Sequence, residues 1–201
     1  MLIIGLTGGI ATGKTTVAEM LRQLGAYVID ADEVVRELEE PGQPVWQSIV
    51  DAFGPTVLDQ NGRINRTHLA DIIFSDPEAR RRLNAITHPA AVARMFTLAE
   101  EARERGEQAV VLDVPLLFEA GMEKAVDQIW VVKTDQKTQL ARLMERQHLT
   151  MDQAMARILS QMPLEQKVAQ ADVVIDNNGS LAETKRQVDK AWLRVAAMPP
   201  G

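Results

Sequence analysis

The chain of 201 residues contains no cysteine. That absence excludes a disulfide framework, zinc–thiolate sites, iron–sulfur clusters and thiol catalysis, and it fits a reducing compartment. Histidine is scarce too: His68, His88 and His148 are scattered without ligand spacing, so a histidine-built metal centre is not expected. Long apolar runs are missing, since no stretch approaches the ~18 residues that a membrane span requires. The opening MLIIGLTGG has no basic segment, and its apolar run stops at Gly5, which makes it a poor secretion signal. A cytoplasmic protein with no membrane partner is the expectation. Basic charge is outweighed. Twenty-two Lys and Arg against 28 Asp and Glu leave a net charge of −6, which argues against duplex nucleic acid as a partner. No serine sits in a nucleophile-elbow motif.

What is present is ordinary globular composition, 46% apolar and 25% charged. A chain of this length buries about 70% of its extended-state surface and needs no covalent staple. The apolar run Leu2–Thr7 reads as a buried strand, followed by a glycine-rich turn and a helix from Lys14 to Leu24 that ends at Gly25. Tyr27–Ile29 is a second strand, so the first ~30 residues form a βαβ unit and imply a parallel sheet. Residues 32–106 read as mostly helical, with turns at Pro41-Gly42, Gly54-Pro55, Asn61-Gly62 and His88-Pro89. Strand patterns return at 109–112, 128–132 and 173–175, separated by helices at 136–147, 150–160 and 163–170, and a last helix covers 181–197. The tail 198–201 is expected to fray. The fold class is therefore α/β: five parallel strands flanked by helices in one domain. Its core comprises about 1–31, 107–135 and 170–201, with a helical insertion at about 32–106 and a helical lid at about 136–169.

Gly8-Gly9-Ile10-Ala11-Thr12-Gly13-Lys14-Thr15 satisfies G-x-x-x-x-G-K-[ST], after a strand and opening a helix, as a P-loop must. Glycines let the backbone form a nest whose amides point at phosphate oxygens, and the helix N-terminus adds positive potential. Lys14 reaches the β- and γ-phosphates in this reading, and the Thr15 hydroxyl ligates Mg²⁺. Lys14 is expected to add little to the core. A dinucleotide site is disfavoured, because G-x-G-x-x-G is not met. Asp30-Ala31-Asp32 follows the second strand, on the carboxyl edge where such sheets bind ligands. A carboxylate there accepts a hydroxyl proton or helps to hold Mg²⁺; the competing role is capping the next helix. Asp113 ends an apolar strand in the manner of a Walker B acid, although many strands end in Asp for turn reasons. Arg142, Arg146, Arg157, Gln161 and Lys167 form a cationic stretch between two strands, which suits a lid over phosphates and equally a solvated helix face. His88, before a proline, reads as structural. A guanine-nucleotide switch is disfavoured by the lack of Asn-Lys-x-Asp, whereas another small-molecule P-loop kinase stays open.

Beyond the P-loop, the sequence resembles the dephospho-coenzyme A kinase family along most of its length. The resemblance lies in LTGGIATGKTTV at 6–17, VIDADEVVREL at 28–38, GRINRTHLADIIFSDPEARRRLNAITHP at 62–89, VPLLFE at 114–119, QLARLMERQHLT at 139–150 and ADVVIDNNG at 171–179, in family order. It implies ATP-dependent phosphorylation of the ribose 3′-hydroxyl of dephospho-coenzyme A, the last step of coenzyme A synthesis, with Mg²⁺. By position it implies ATP on Gly8, Gly9, Ile10, Ala11, Thr12, Gly13, Lys14, Thr15 and Thr16, with Arg142 on the phosphates and Asn177 near the adenine side. Asp32 is the implied base or orienter for the acceptor hydroxyl. Asn65, Arg66 and His88 fall in the implied coenzyme-A-binding part, flanked by Leu116, Leu117 and Glu119. The expected partner is a small molecule, and the expected state a monomer or weak homo-oligomer.

Overall fold

The computed structural model describes residues 1–197; the expected fraying of 198–201 lies outside the described residues. Five strands, β1 (Leu2–Gly8), β2 (Tyr27–Asp30), β3 (Ala109–Asp113), β4 (Gln128–Lys133) and β5 (Val173–Asp176), form one sheet in the order β2-β3-β1-β4-β5. All four pairings are parallel. The strands read as near-continuous apolar runs because both faces of a parallel sheet are covered. Ile4 and Leu6 of β1, Val110–Leu112 of β3 and Trp130–Val132 of β4 are fully buried.

The chain divides into two compact units, 1–30 with 99–201 and 31–98. In the first, α1 (Lys14–Gln23) and α9 (Leu181–Ala196) pack on one face of the sheet through Val17, Leu21, Val188 and Val195. Gly25, at φ +87°, closes α1: its amide donates to the Arg22 carbonyl and the Ala26 amide to Leu21, the bond pair of a Schellman motif. The segment expected as a lid is α6 (Gln136–Gln147), α7 (Met151–Leu159) and α8 (Leu164–Val168). Asp135 caps α6, and Thr150 and Gln153 cap α7 reciprocally.

The second unit contains α2 (Ala31–Leu38), α3 (Pro44–Phe53), α4 (Arg66–Ser75) and most of α5 (Pro77–Glu104). Its own core is built from Val45, Ile49, Val57, Ile64, Leu69 and Leu83. One expectation is corrected here: His88-Pro89 is not a turn, because α5 runs unbroken through it. Leu83, Thr87, Ala91 and Met95 form a buried stripe at four-residue spacing that carries the helix across the proline. Pro89 and Ala85, whose carbonyl loses its usual donor, are both exposed, so water meets that carbonyl at little cost.

Candidate active site

The loop between β1 and α1 is shaped by residues that leave it little choice. A Cβ on Gly8 would lie 2.6 Å from the Val132 carbonyl oxygen of the neighbouring strand. Gly13 has φ +89°, and a Cβ there would lie 2.0 Å from Asn177 Nδ2. Only glycine serves at either place. Ala11 adopts the left-handed region as well, at φ 59°, an arrangement that an L-residue holds only when its surroundings over-determine it.

Those surroundings are polar side chains. Thr12, itself buried, donates from its hydroxyl to the Gly9 carbonyl at 2.8 Å. Asn177 lies just past β5 and is buried; its Nδ2 donates to the Thr12 carbonyl at 2.8 Å and its Oδ1 accepts from the Thr184 hydroxyl at 2.8 Å. Arg142 on α6 donates to the Asn177 carbonyl at 3.2 Å and more weakly to that of Thr12 at 3.5 Å. Gln139 and Gln161 reach Ile10 from α6 and from the turn before α8. A cavity of about 600 Å³ opens beside this loop, lined by Ala11, Gly13, Thr16, Arg142, Glu145, Arg146, Asn177, Gly179 and Leu181.

At the carboxyl edge of the sheet, Lys14 forms an ion pair with Asp113, the last residue of β3. Burial pushes the Asp113 carboxyl above its ordinary value; the Lys14 ammonium opposes that rise, and the charge of Asp30, its register partner on β2, adds to it. The cation and the nest of amides together favour a polyphosphate. Thr15 is exposed in the first turn of α1. Among the described residues no group of three or more His, Asp or Glu side chains could hold a metal by itself. A hydroxyl and a carboxylate are hard oxygen donors, and Mg²⁺ takes one or two such protein ligands and completes its shell with water and substrate phosphate.

The other expected site residues are distributed as follows. Gly8 to Thr16, Arg142 and Asn177 are brought together as described. Arg157 does not join them, since its guanidinium donates to Gln147. Lys167 is no phosphate-facing lid cation: it is fully buried, 2.9 Å from Glu119 and 3.4 Å from the Pro115 carbonyl. Burial alone would raise the Glu119 carboxyl, but the Lys167 ammonium and the Met162 amide hold it below the usual range. Leu117 is core, its methyls packed against Gly5, whereas Leu116 stays exposed. In the second unit, Asp32 is exposed in the first turn of α2. Asn65 caps α4 by accepting from the His68 amide, and Arg66 pairs with Glu39 at 2.7 Å. Burial raises the Glu39 carboxyl against the pull of Arg66 and Arg36. His88 is exposed on α5. Gln139 was not singled out by sequence; its one signal was a polar residue at a position that the helix buries. No described helix is long and apolar enough to cross a membrane.

Comparison with known proteins follows the same direction. The family profile described as dephospho-CoA kinase matches residues 2–183. A dephospho-CoA kinase of Symbiobacterium thermophilum is 52% identical over 192 residues, 96% of this chain and 80% of that protein. One of Geobacillus kaustophilus is 50% identical over 187 residues, 93% of each chain. The solved structure of a dephospho-CoA kinase from Campylobacter jejuni superposes with a TM-score of 0.73 at 29% identity, covering 96% of both chains. The P-loop cavity and a sequence match over nearly the whole length thus agree, and the chain belongs to the dephospho-CoA kinase family, a family of phosphotransferases.

Proposed function

We propose that this chain transfers the terminal phosphoryl group of ATP to the ribose 3′-hydroxyl of dephospho-coenzyme A, giving coenzyme A and ADP in the cytoplasm. The observation that carries the ATP half is the glycine-constrained loop with the Lys14–Asp113 pair at its end, opening on a cavity rimmed by Arg142 and Asn177. Transfer of this kind has a loose, highly charged transition state, so the protein acts mainly by positioning and electrostatic stabilisation. Backbone amides from Gly8 to Thr16 receive the phosphates, and Lys14 adds a mobile positive charge. Arg142 and Arg146 line the same cavity and neutralise charge that develops on the phosphates. Asn177 acts on the loop itself and leaves its backbone facing the nucleotide. The Thr15 hydroxyl would hold Mg²⁺, which would add charge neutralisation on the phosphates.

Asp32 orients the acceptor hydroxyl and takes its proton. The 31–98 unit, with Asn65, Arg66 and His88, binds coenzyme A, and Leu116 offers it an apolar contact. Leu117, packed against Gly5, and Glu119, paired with Lys167, act through the local structure around Leu116. A coupled assay of ADP release tests the reading: turnover should require dephospho-coenzyme A. Equal turnover on shikimate, gluconate or a nucleoside monophosphate would overturn it.

A further inference from the structure

The Ile10 peptides are gripped from two sides by side chains remote in sequence. Gln161 Oε1 accepts from the Ile10 amide at 2.8 Å, and Gln139 Nε2 donates to the Ile10 carbonyl at 2.8 Å. These groups belong to two successive peptide planes. The Gly9–Ile10 plane is held at its other end too, because the Gly9 carbonyl accepts from the Thr12 amide at 3.2 Å and the Thr12 hydroxyl at 2.8 Å. The Ile10–Ala11 plane is trans, so its carbonyl and amide point in opposite directions. With the carbonyl turned to Gln139, the Ala11 amide is turned away from it, and Ala11 lines the 600 Å³ cavity. The left-handed Ala11 needs such external fixing.

The two glutamines are themselves well placed. Gln139 is 4% exposed on α6, and a buried amide without a partner is costly. A Cβ on Gly9 would come 2.7 Å from its Nε2, so the glycine leaves room for the contact. Gln161 precedes Met162, whose amide donates to Glu119 Oε1 at 3.0 Å, and Glu119 holds buried Lys167.

We propose that Gln139 and Gln161 are positioning residues of the kinase reaction, which fix the two peptide planes around Ile10 and aim the Ala11 amide into the phosphate cavity. The inference rests on the P-loop being the ATP site. Calorimetric ATP binding in the absence of acceptor, steady-state kinetics and amide hydrogen exchange test it on the full chain. Gln139→Met should weaken ATP binding about tenfold, as expected when a half-buried acceptor loses its donor, with the KM for dephospho-coenzyme A within twofold. Gln161→Met should weaken ATP less, about threefold, because Thr12 still holds the same plane, and should speed exchange of the Ile10 amide. Gln139→Glu replaces the donor by a carboxylate that cannot donate, so it should weaken ATP binding at pH 7.5 at least as much as Gln139→Met does. The inference is overturned if either Gln139→Met or Gln139→Glu binds ATP within twofold of wild type. Lys14→Ala separates the two readings. If it loses ATP while both glutamine variants keep it, only the positioning role fails; if it too binds ATP normally, the P-loop reading fails first.

Discussion

Glu119→Ala removes the carboxylate that neutralises a fully buried ammonium, Lys167. Removing one member of a buried pair costs about 3–5 kcal/mol, because the remaining charge is left uncompensated. The Glu119 side chain is 26% exposed, so water already screens part of the attraction, and the Pro115 carbonyl at 3.4 Å still accepts from Lys167. The lower end, about 3 kcal/mol, is therefore expected. For a chain of this size that lowers Tm by roughly 6–12 °C. Glu119→Gln retains an acceptor and should cost only about 1 kcal/mol. Acid sharpens the test. The Glu119 carboxyl is held below its ordinary value of 4.5 in the folded chain. Its contribution is present above the unfolded value and is lost as pH falls through the folded one. The Tm gap between wild type and Glu119→Ala, followed by circular dichroism, should thus be largest at pH 6–7.5 and narrow below about 4.5. A drop under about 2 °C at neutral pH, or a gap that does not narrow in acid, would refute the assignment of this pair as a structural tie.

Lys14→Ala should lower kcat/KM more than tenfold, with ATP affinity falling in parallel by calorimetry; it should also cost about 1–3 kcal/mol of stability, since Asp113 keeps a buried carboxylate without its cation. That carboxyl is already raised by burial, so the stability loss should grow as pH rises through its folded value, and a flat melting profile from pH 4 to 8 would contradict it. Arg142→Ala should lower kcat more than it raises the KM for dephospho-coenzyme A, because it lines the cavity beside the P-loop and, in the proposed reaction, its charge matters most as phosphoryl charge develops. Unchanged kcat with normal ATP affinity would reduce it to a helix-to-loop tie. Asp32→Asn should cut kcat by about 10²–10³ with ATP binding nearly unchanged, the lower half of the usual loss because a loose transition state asks little of a base. A kcat within threefold of wild type would remove Asp32 from the base role, and a collapse of ATP affinity would assign it to the metal–nucleotide site.

The P-loop, the five strands and the span of α6 were legible in the sequence because each rests on local chemistry. Gly13 at positive φ, apolar runs ending in Asp113 and Asp176, and Asp135 accepting from the Thr138 amide are requirements met within a few residues. The strand boundaries moved by only a residue, since strands such as β3 extend to include their terminal acids. His88-Pro89 misled for a related reason. The local cost of a proline is real, but a buried stripe at four-residue spacing outweighs it where the freed carbonyl faces water. What tertiary structure alone decided is which polar side chains face inward. Lys167 read as a lid cation or part of a solvated helix face and proved to be the buried partner of Glu119, 48 residues away. Gln139 and Gln161 meet Ile10 across separations of 129 and 151 residues. A glutamine on an amphipathic helix has the same local signature whether it faces solvent or a buried carbonyl. The difference lies in desolvation, which exists only once a distant segment has packed against it.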